Sequence, residues 1–182
     1  MRAIVLATVM SLPAMSLSGA AFAAGDNTFT APTTTQTTKE CTGAQVWDEK
    51  KGKCVDAKDS ALDADTLYDA VRELAYAGRL KDAQMVLAAM PDQSEGRVLT
   101  YWGFTARKLG QPDEANAYYQ RAIATDPDNL LARSYMGQGF VEEGKLGLAL
   151  AQWKEIRARG GTGSWPEVSL YKALQSGQTS SY

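Results

Sequence analysis

The sequence predicts an all-α fold: a solenoid of three helix pairs closed by a C-terminal capping helix, with a small disulfide-closed β-hairpin ahead of it. Three observations carry this expectation. The turn Gly78-Arg79-Leu80-Lys81-Asp82-Ala83 returns as Gly110-Gln111-Pro112-Asp113-Glu114-Ala115 and as Gly144-Lys145-Leu146-Gly147-Leu148-Ala149, with glycines 32 and then 34 residues apart. A repeat of this length marks stacked helical hairpins, each too small to bury its apolar face alone. Between the turns, apolar residues such as Leu67, Ala70, Val71 and Leu74 recur at helical spacing. The two cysteines, Cys41 and Cys54, flank one short strand–turn–strand pattern.

Residues 1–23 read as a secretory signal. Arg2 supplies the charged start, Ala3 to Leu17 is mostly apolar, and Ala21-Phe22-Ala23 meets the A-x-A cleavage rule. The apolar run is shorter than about 18 residues and is interrupted by Ser11 and Pro13, which argues against a retained anchor. No cysteine directly follows Ala23, which argues against a lipoprotein. The expectation is cleavage after Ala23, a periplasmic or secreted protein, and no membrane insertion once the leader is gone.

Residues 24–40 are Thr-rich around Ala31-Pro32-Thr33-Thr34-Thr35 and nearly free of large apolar side chains. A disordered linker is expected there. Residues 41–55 form the second unit. Gln45-Val46-Trp47-Asp48 and Lys53-Cys54-Val55 flank the turn Glu49-Lys50-Lys51-Gly52, a hairpin pattern. Two cysteines in an exported chain imply one disulfide, Cys41–Cys54, and so small a piece needs that staple.

The helical array is expected over 64–177. Asp63 is the N-cap of a helix reaching Ala77, and its partner covers Leu80 to Met90. The second pair covers Glu95 to Leu109, after a Ser94 cap, and Pro112 to Thr125. Pro112 suits a first helical position, where its missing N–H costs nothing. Asp126-Pro127-Asp128-Asn129 is a turn, followed by Asn129 to Glu142 and Leu146 to Arg159. Ser164-Trp165-Pro166-Glu167 reads as a capping box opening a last helix to Gln175. Repeat arrays need such an end cap. The tail 178–182 is expected to fray.

The best copy of the repeat resembles a tetratricopeptide repeat. Leu99, Trp102, Gly103 and Ala106 take the places of W-x2-L-G-x2-Y, Ala115 and Tyr119 those of A-x3-F, and Pro127 closes the unit. The third copy offers Arg133, Met136, Gly137, Phe140, Ala149 and Trp153 without a closing proline. The first offers Leu67, Ala70, Val71, Leu74, Ala83 and Leu87, with Val71 replacing the small glycine. The resemblance, to the exported bacterial type, implies packing of small Gly103 and Ala115 where paired helices cross, with Tyr119 and Trp153 filling the space between units. It also implies that the first helix of each pair lines a concave binding face. Carried over residue by residue, that face comprises Tyr68, Arg72 and Tyr76, then Arg97, Tyr101, Phe104, Arg107 and Lys108, then Ser134, Tyr135, Gln138 and Val141. Tyrosine and arginine are enriched at binding hot spots. The Lys–Asn pattern of the chaperone-type carboxylate clamp is missing.

Composition narrows the chemistry. There are 19 basic and 21 acidic residues, for a net charge of −2, with no basic stripe to suggest nucleic acid. There is no histidine, which removes the commonest general base and metal ligand. The two thiols are not a CxxC pair. Asp63, Asp65 and Asp69 read as helix-dipole partners, and Glu142-Glu143 as a solvated helix end. No catalytic residue, metal or cofactor is expected. The function expected is protein–protein interaction, as an adaptor or assembly factor bound to another envelope protein or peptide segment. The alternative is an envelope glycan-binding protein in which Trp47 of the hairpin stacks on a sugar.

Overall fold

The three recurring turns fold alike. In the computed structural model, which describes residues 30–59 and 61–179, Gly78, Gly110 and Gly144 have φ of 76°, 78° and 73°. Each follows the first helix of a pair in the left-handed region that glycine reaches without strain. The next N–H then reaches back five residues: Arg79 to Leu74, Gln111 to Ala106 and Lys145 to Phe140, at 2.9, 3.0 and 2.7 Å. This Schellman arrangement satisfies the last carbonyls of each helix and turns the chain back along it.

Helix pairs follow. α1 (Gln36–Glu40), β1 (Gln45–Asp48) and β2 (Lys53–Asp56) precede the array. α2 (Ala64–Tyr76) packs on α3 (Leu80–Leu87), α4 (Gly96–Lys108) on α5 (Pro112–Thr125), and α6 (Leu130–Glu142) on α7 (Leu146–Ala158). α8 (Trp165–Ser176) lies against α6 and α7 as the end cap. Asp63 caps α2 by accepting the Thr66 N–H at 2.7 Å, and Asn129 caps α6 by accepting that of Ala132 at 2.9 Å.

Several boundaries differ from expectation for local reasons. The residue preceding α4 is Glu95, because the Ser94 N–H and hydroxyl both donate to Asp92 Oδ1 at 2.8 and 2.6 Å. The Ser164 hydroxyl donates to the Gly161 carbonyl at 2.6 Å, so the capping box with Glu167 does not form. α3 ends at Leu87 rather than Met90, since the Gln93 amide takes the Leu87 and Met90 carbonyls, each at 2.8 Å. Trp153 is half-buried on the outer side, stacked on Tyr171 at 5.6 Å, and does not fill the space between units. The glycine of that unit, Gly137, faces Leu170 of α8 instead.

Residues 30–40 are ordered, which corrects the disordered linker expected over 24–40. Glu73 of α2 is buried and accepts the N–H groups of Thr35 and Thr38 at 2.7 and 3.0 Å and the Thr35 hydroxyl at 2.6 Å. Arg72 takes the Thr30 carbonyl, and Arg79 those of Thr37 and Thr38. Backbone polarity, rather than apolar side chains, docks this segment. The expected signal at 1–23 and the remainder of the linker, 24–29, lie outside the described residues.

The hairpin forms in the expected register, with Val46 opposite Val55 and Trp47 opposite Cys54. Asp48 accepts the Lys50 and Lys51 N–H groups at 2.9 and 3.1 Å, and Gly52 turns at φ 59°. Cys41 is bonded to Cys54, with Cα atoms 5.5 Å apart. The staple therefore joins the end of α1 to β2. Val46 and Ala57 belong to the same buried cluster as the helices, which continues through Leu74, Leu99, Tyr119 and Ile156 to Leu170 and Ala173. The hairpin thus shares the core of the array instead of standing apart. No helix among the described residues is long and apolar enough to cross a membrane.

Candidate protein-interaction surface

The first helices of the pairs bring the expected residues together, but mostly below the surface. Tyr101, Tyr135 and Gln138 are fully buried, and Tyr68, Arg72, Phe104 and Arg107 nearly so, as are Ser134 and Val141. This corrects their placement as an exposed face. α2, α4 and α6 stand side by side, and their rings run into one another: Tyr68–Tyr101 at 5.5 Å, Tyr101–Phe104 at 5.8 Å, Phe104–Tyr135 at 4.9 Å and Tyr135–Trp165 at 6.0 Å. Edge and tilted contacts of this kind add to ordinary burial. Tyr76 joins them through Phe104 and through a hydrogen bond between its hydroxyl and that of Tyr135. Gln138 lies beside Ser134, whose hydroxyl meets Ser169 of α8.

Three of the expected residues keep access. Arg97 is half-buried, covers the Tyr68 ring at 4.7 Å and pairs with Asp65 at 2.6 Å. Tyr76 is half-buried. Lys108 is exposed, with its ammonium 5.9 Å from the Phe104 ring. Desolvation and the Arg107 guanidinium beside it hold its pKa below the ordinary lysine value.

Two clefts open at the junction of the second and third pairs. The larger, about 420 Å³, lies where α4 and α6 begin and is lined by Tyr68, Glu95, Arg97, Asp126 and Asp128, among others. The smaller, about 290 Å³, lies where α4 and α6 end and α5 begins, with Arg107, Tyr119, Asn116, Glu142 and Glu143 in its wall. Arg107 pairs with Glu142 at 2.6 Å. Burial opposes its charge, while Tyr119 and Glu142 favour it, and the balance keeps its pKa above the usual value. Burial pushes the Tyr119 hydroxyl up to about 12.

The second cleft was not foreseen. Glu142 is more than a solvated helix end, since it also accepts the Thr179 hydroxyl. Thr179 belongs to the tail expected to fray. Arg107 and Glu142 lie 35 residues apart, one repeat plus one. A search for opposite charges at that spacing on successive first helices would have found the pair. Trp47 is half-buried on the hairpin, its backbone N–H donated to the Thr37 hydroxyl at 3.1 Å.

Comparison with known proteins bears on the same junction. Residues 96–129 match the tetratricopeptide repeat family. That segment is α4, its turn and α5, ending at the Asn129 cap of α6. No curated protein and no solved structure matches the chain. The other two pairs share the turn and the period of the matched one. The matched segment is thus similar to a tetratricopeptide repeat, a unit whose arrays in general serve protein–protein interaction.

Proposed function

We propose that this protein is an exported adaptor or assembly factor that holds a segment of another cell-envelope protein along the junction of its second and third repeats. The observation that carries the reading is the matched repeat at 96–129, stacked in register between two similar pairs. Solenoids of this kind present extended surfaces to partner chains. The half-buried and exposed cations Arg97 and Lys108 flank the stretch, and a cleft opens at each end of it. Two features support export: the leader pattern ending at Ala21-Phe22-Ala23, and the Cys41–Cys54 bond, which suits an oxidising compartment.

A photo-crosslinking side chain placed at Lys108, in the full chain expressed in its native cell, tests this. The same side chain at Lys53 on the hairpin serves as comparison. Capture of an envelope protein from Lys108, with a mature N-terminus at Ala24, supports the proposal. Capture from Lys53 alone, or retention on peptidoglycan that is lost in Trp47→Ala, would move the function to the hairpin. A product beginning at Met1 in the membrane fraction would end the export reading.

A further inference from the structure

The smaller cleft has a chemical preference of its own. Its wall includes Arg107, whose side chain is 3% exposed, and Tyr119, which is fully buried. One guanidinium nitrogen, Nη1, donates to Glu142. Among the described residues, Nε and Nη2 of Arg107 and the hydroxyl of Tyr119 meet no partner in good hydrogen-bond geometry, although the Tyr119 hydroxyl lies close enough to the guanidinium to favour its charge. Buried donors left without acceptors are costly, and native structures rarely keep several together without a use. Beside them the wall includes the small residues Ala115 and Gly139, the latter packed against the Arg107 side chain.

Charge decides which group fits. Arg107 is already matched by Glu142, and Glu143 by Lys145. An added anion would meet the guanidinium but also both carboxylates. An added cation would meet the reverse. A neutral group with an acceptor at one end and a donor at the other avoids both penalties. We propose that this cleft binds a neutral carboxamide, the side chain of an asparagine or glutamine in the partner's segment. Its carbonyl oxygen accepts from Arg107 and Tyr119. Its NH₂ donates to Glu142 or Glu143, which remain 37% and 19% exposed at the rim. The proposal rests on the protein-interaction reading, yet it is tested without the partner.

The probes are two blocked amino acids of nearly equal shape, N-acetyl-glutamine methylamide and N-acetyl-glutamate methylamide, titrated into the ¹⁵N-labelled folded chain. The glutamine probe is expected to shift the Gly139 and Ala115 amides and the Arg107 Nε–H saturably, and to bind about tenfold or more tightly than the glutamate probe. Tyr119→Phe keeps the ring and removes the hydroxyl. It should weaken the glutamine probe about three- to tenfold with the other amide shifts unchanged. The absence of saturable shifts, equal or tighter binding of the glutamate probe, or unaltered affinity in folded Tyr119→Phe would each overturn the proposal. Tighter binding of N-acetylglucosamine at the same amides would overturn the peptide assignment in favour of a glycan. Crosslinking at Lys108 reads the adaptor role separately, so one can fail while the other stands.

Discussion

Gly103 and Tyr119 are made for each other: a β-carbon added to the glycine would lie 2.5 Å from the tyrosine ring. The ring is fully buried. The missing side chain on α4 is what allows α5 to lie close. Gly103→Ala gains about 1 kcal/mol of helix propensity, but the overpacking costs about 1–3 kcal/mol or more. Because the clash is against the carbons of a stiff ring, at 2.5 and 2.6 Å, rather than the end of a flexible side chain, the clash wins. Urea unfolding should show a net loss of about 1–2 kcal/mol. A neutral or stabilising Gly103→Ala would mean that α4 and α5 are not packed in this register.

Glu73 should control the order of the N-terminal segment. It is the acceptor for three donors on Thr35 and Thr38. Glu73→Ala leaves those donors to water and should cost about 1–3 kcal/mol. Limited trypsin digestion at Lys39 is the direct readout. The expected outcome is much faster cleavage there, with α4 to α7 still resistant. Equal cleavage rates would show that the other ties, those of Arg72, Arg79 and Trp47, hold the segment without Glu73.

What could be read from the chain, and what could not, follows from where each signal resides. Gly78, Gly110 and Gly144 announce themselves because their turn requires a left-handed residue, a demand local enough to show in sequence. The same holds for Pro112 and for the Asp63 cap. The docking of residues 30–40 was hidden because its partners are backbone groups, and Glu73 looks in sequence like any surface acid of a helix. The face of α4 and α6 was misplaced for a different reason. Helical spacing tells that Tyr101 and Phe104 share a side of α4, and the repeat period sets Tyr135 at the matching place on α6. It does not tell that rings from adjacent helices close over that side. Arg107 and Glu142 were separated in sequence by a whole repeat, so their pairing needed the period and the charges considered together.

Reduction of the Cys41–Cys54 bond should act locally. The bridge spans a sequence separation of 13 residues, which the chain-entropy view values at about 3 kcal/mol. It fastens the end of α1 to β2, and Val46 and Ala57 carry the effect into the first repeat. Stability in repeat arrays passes mainly between neighbours. Hydrogen exchange of the Cys41→Ser/Cys54→Ser protein should therefore quicken over 30–59 and on α2 and α3, while α6, α7 and α8 keep their protection. Uniform loss of protection across all helices would show one cooperative unit instead.

Tyr119 sets an alkaline limit on the fold. Its folded-state pKa is raised to about 12 from an ordinary value of 10, first because burial disfavours the phenolate and despite the opposing influence of Arg107. Below pH 10 the tyrosine is neutral in both states, and its burial contributes fully. As pH rises from 10 towards 12, the unfolded chain loses the proton while the folded chain keeps it. The unfolded state then binds fewer protons, so stability falls over that window. A shift of two units corresponds to about 2.7 kcal/mol at its limit. Tyr119→Phe removes the titrating group and leaves the ring against Gly103. Urea unfolding of both proteins at pH 9, 10 and 11 checks this. The loss of stability with rising pH should be smaller in Tyr119→Phe, and the gap between the two proteins should narrow or reverse as pH increases. Parallel curves would show that the Tyr119 hydroxyl reaches water in the folded state.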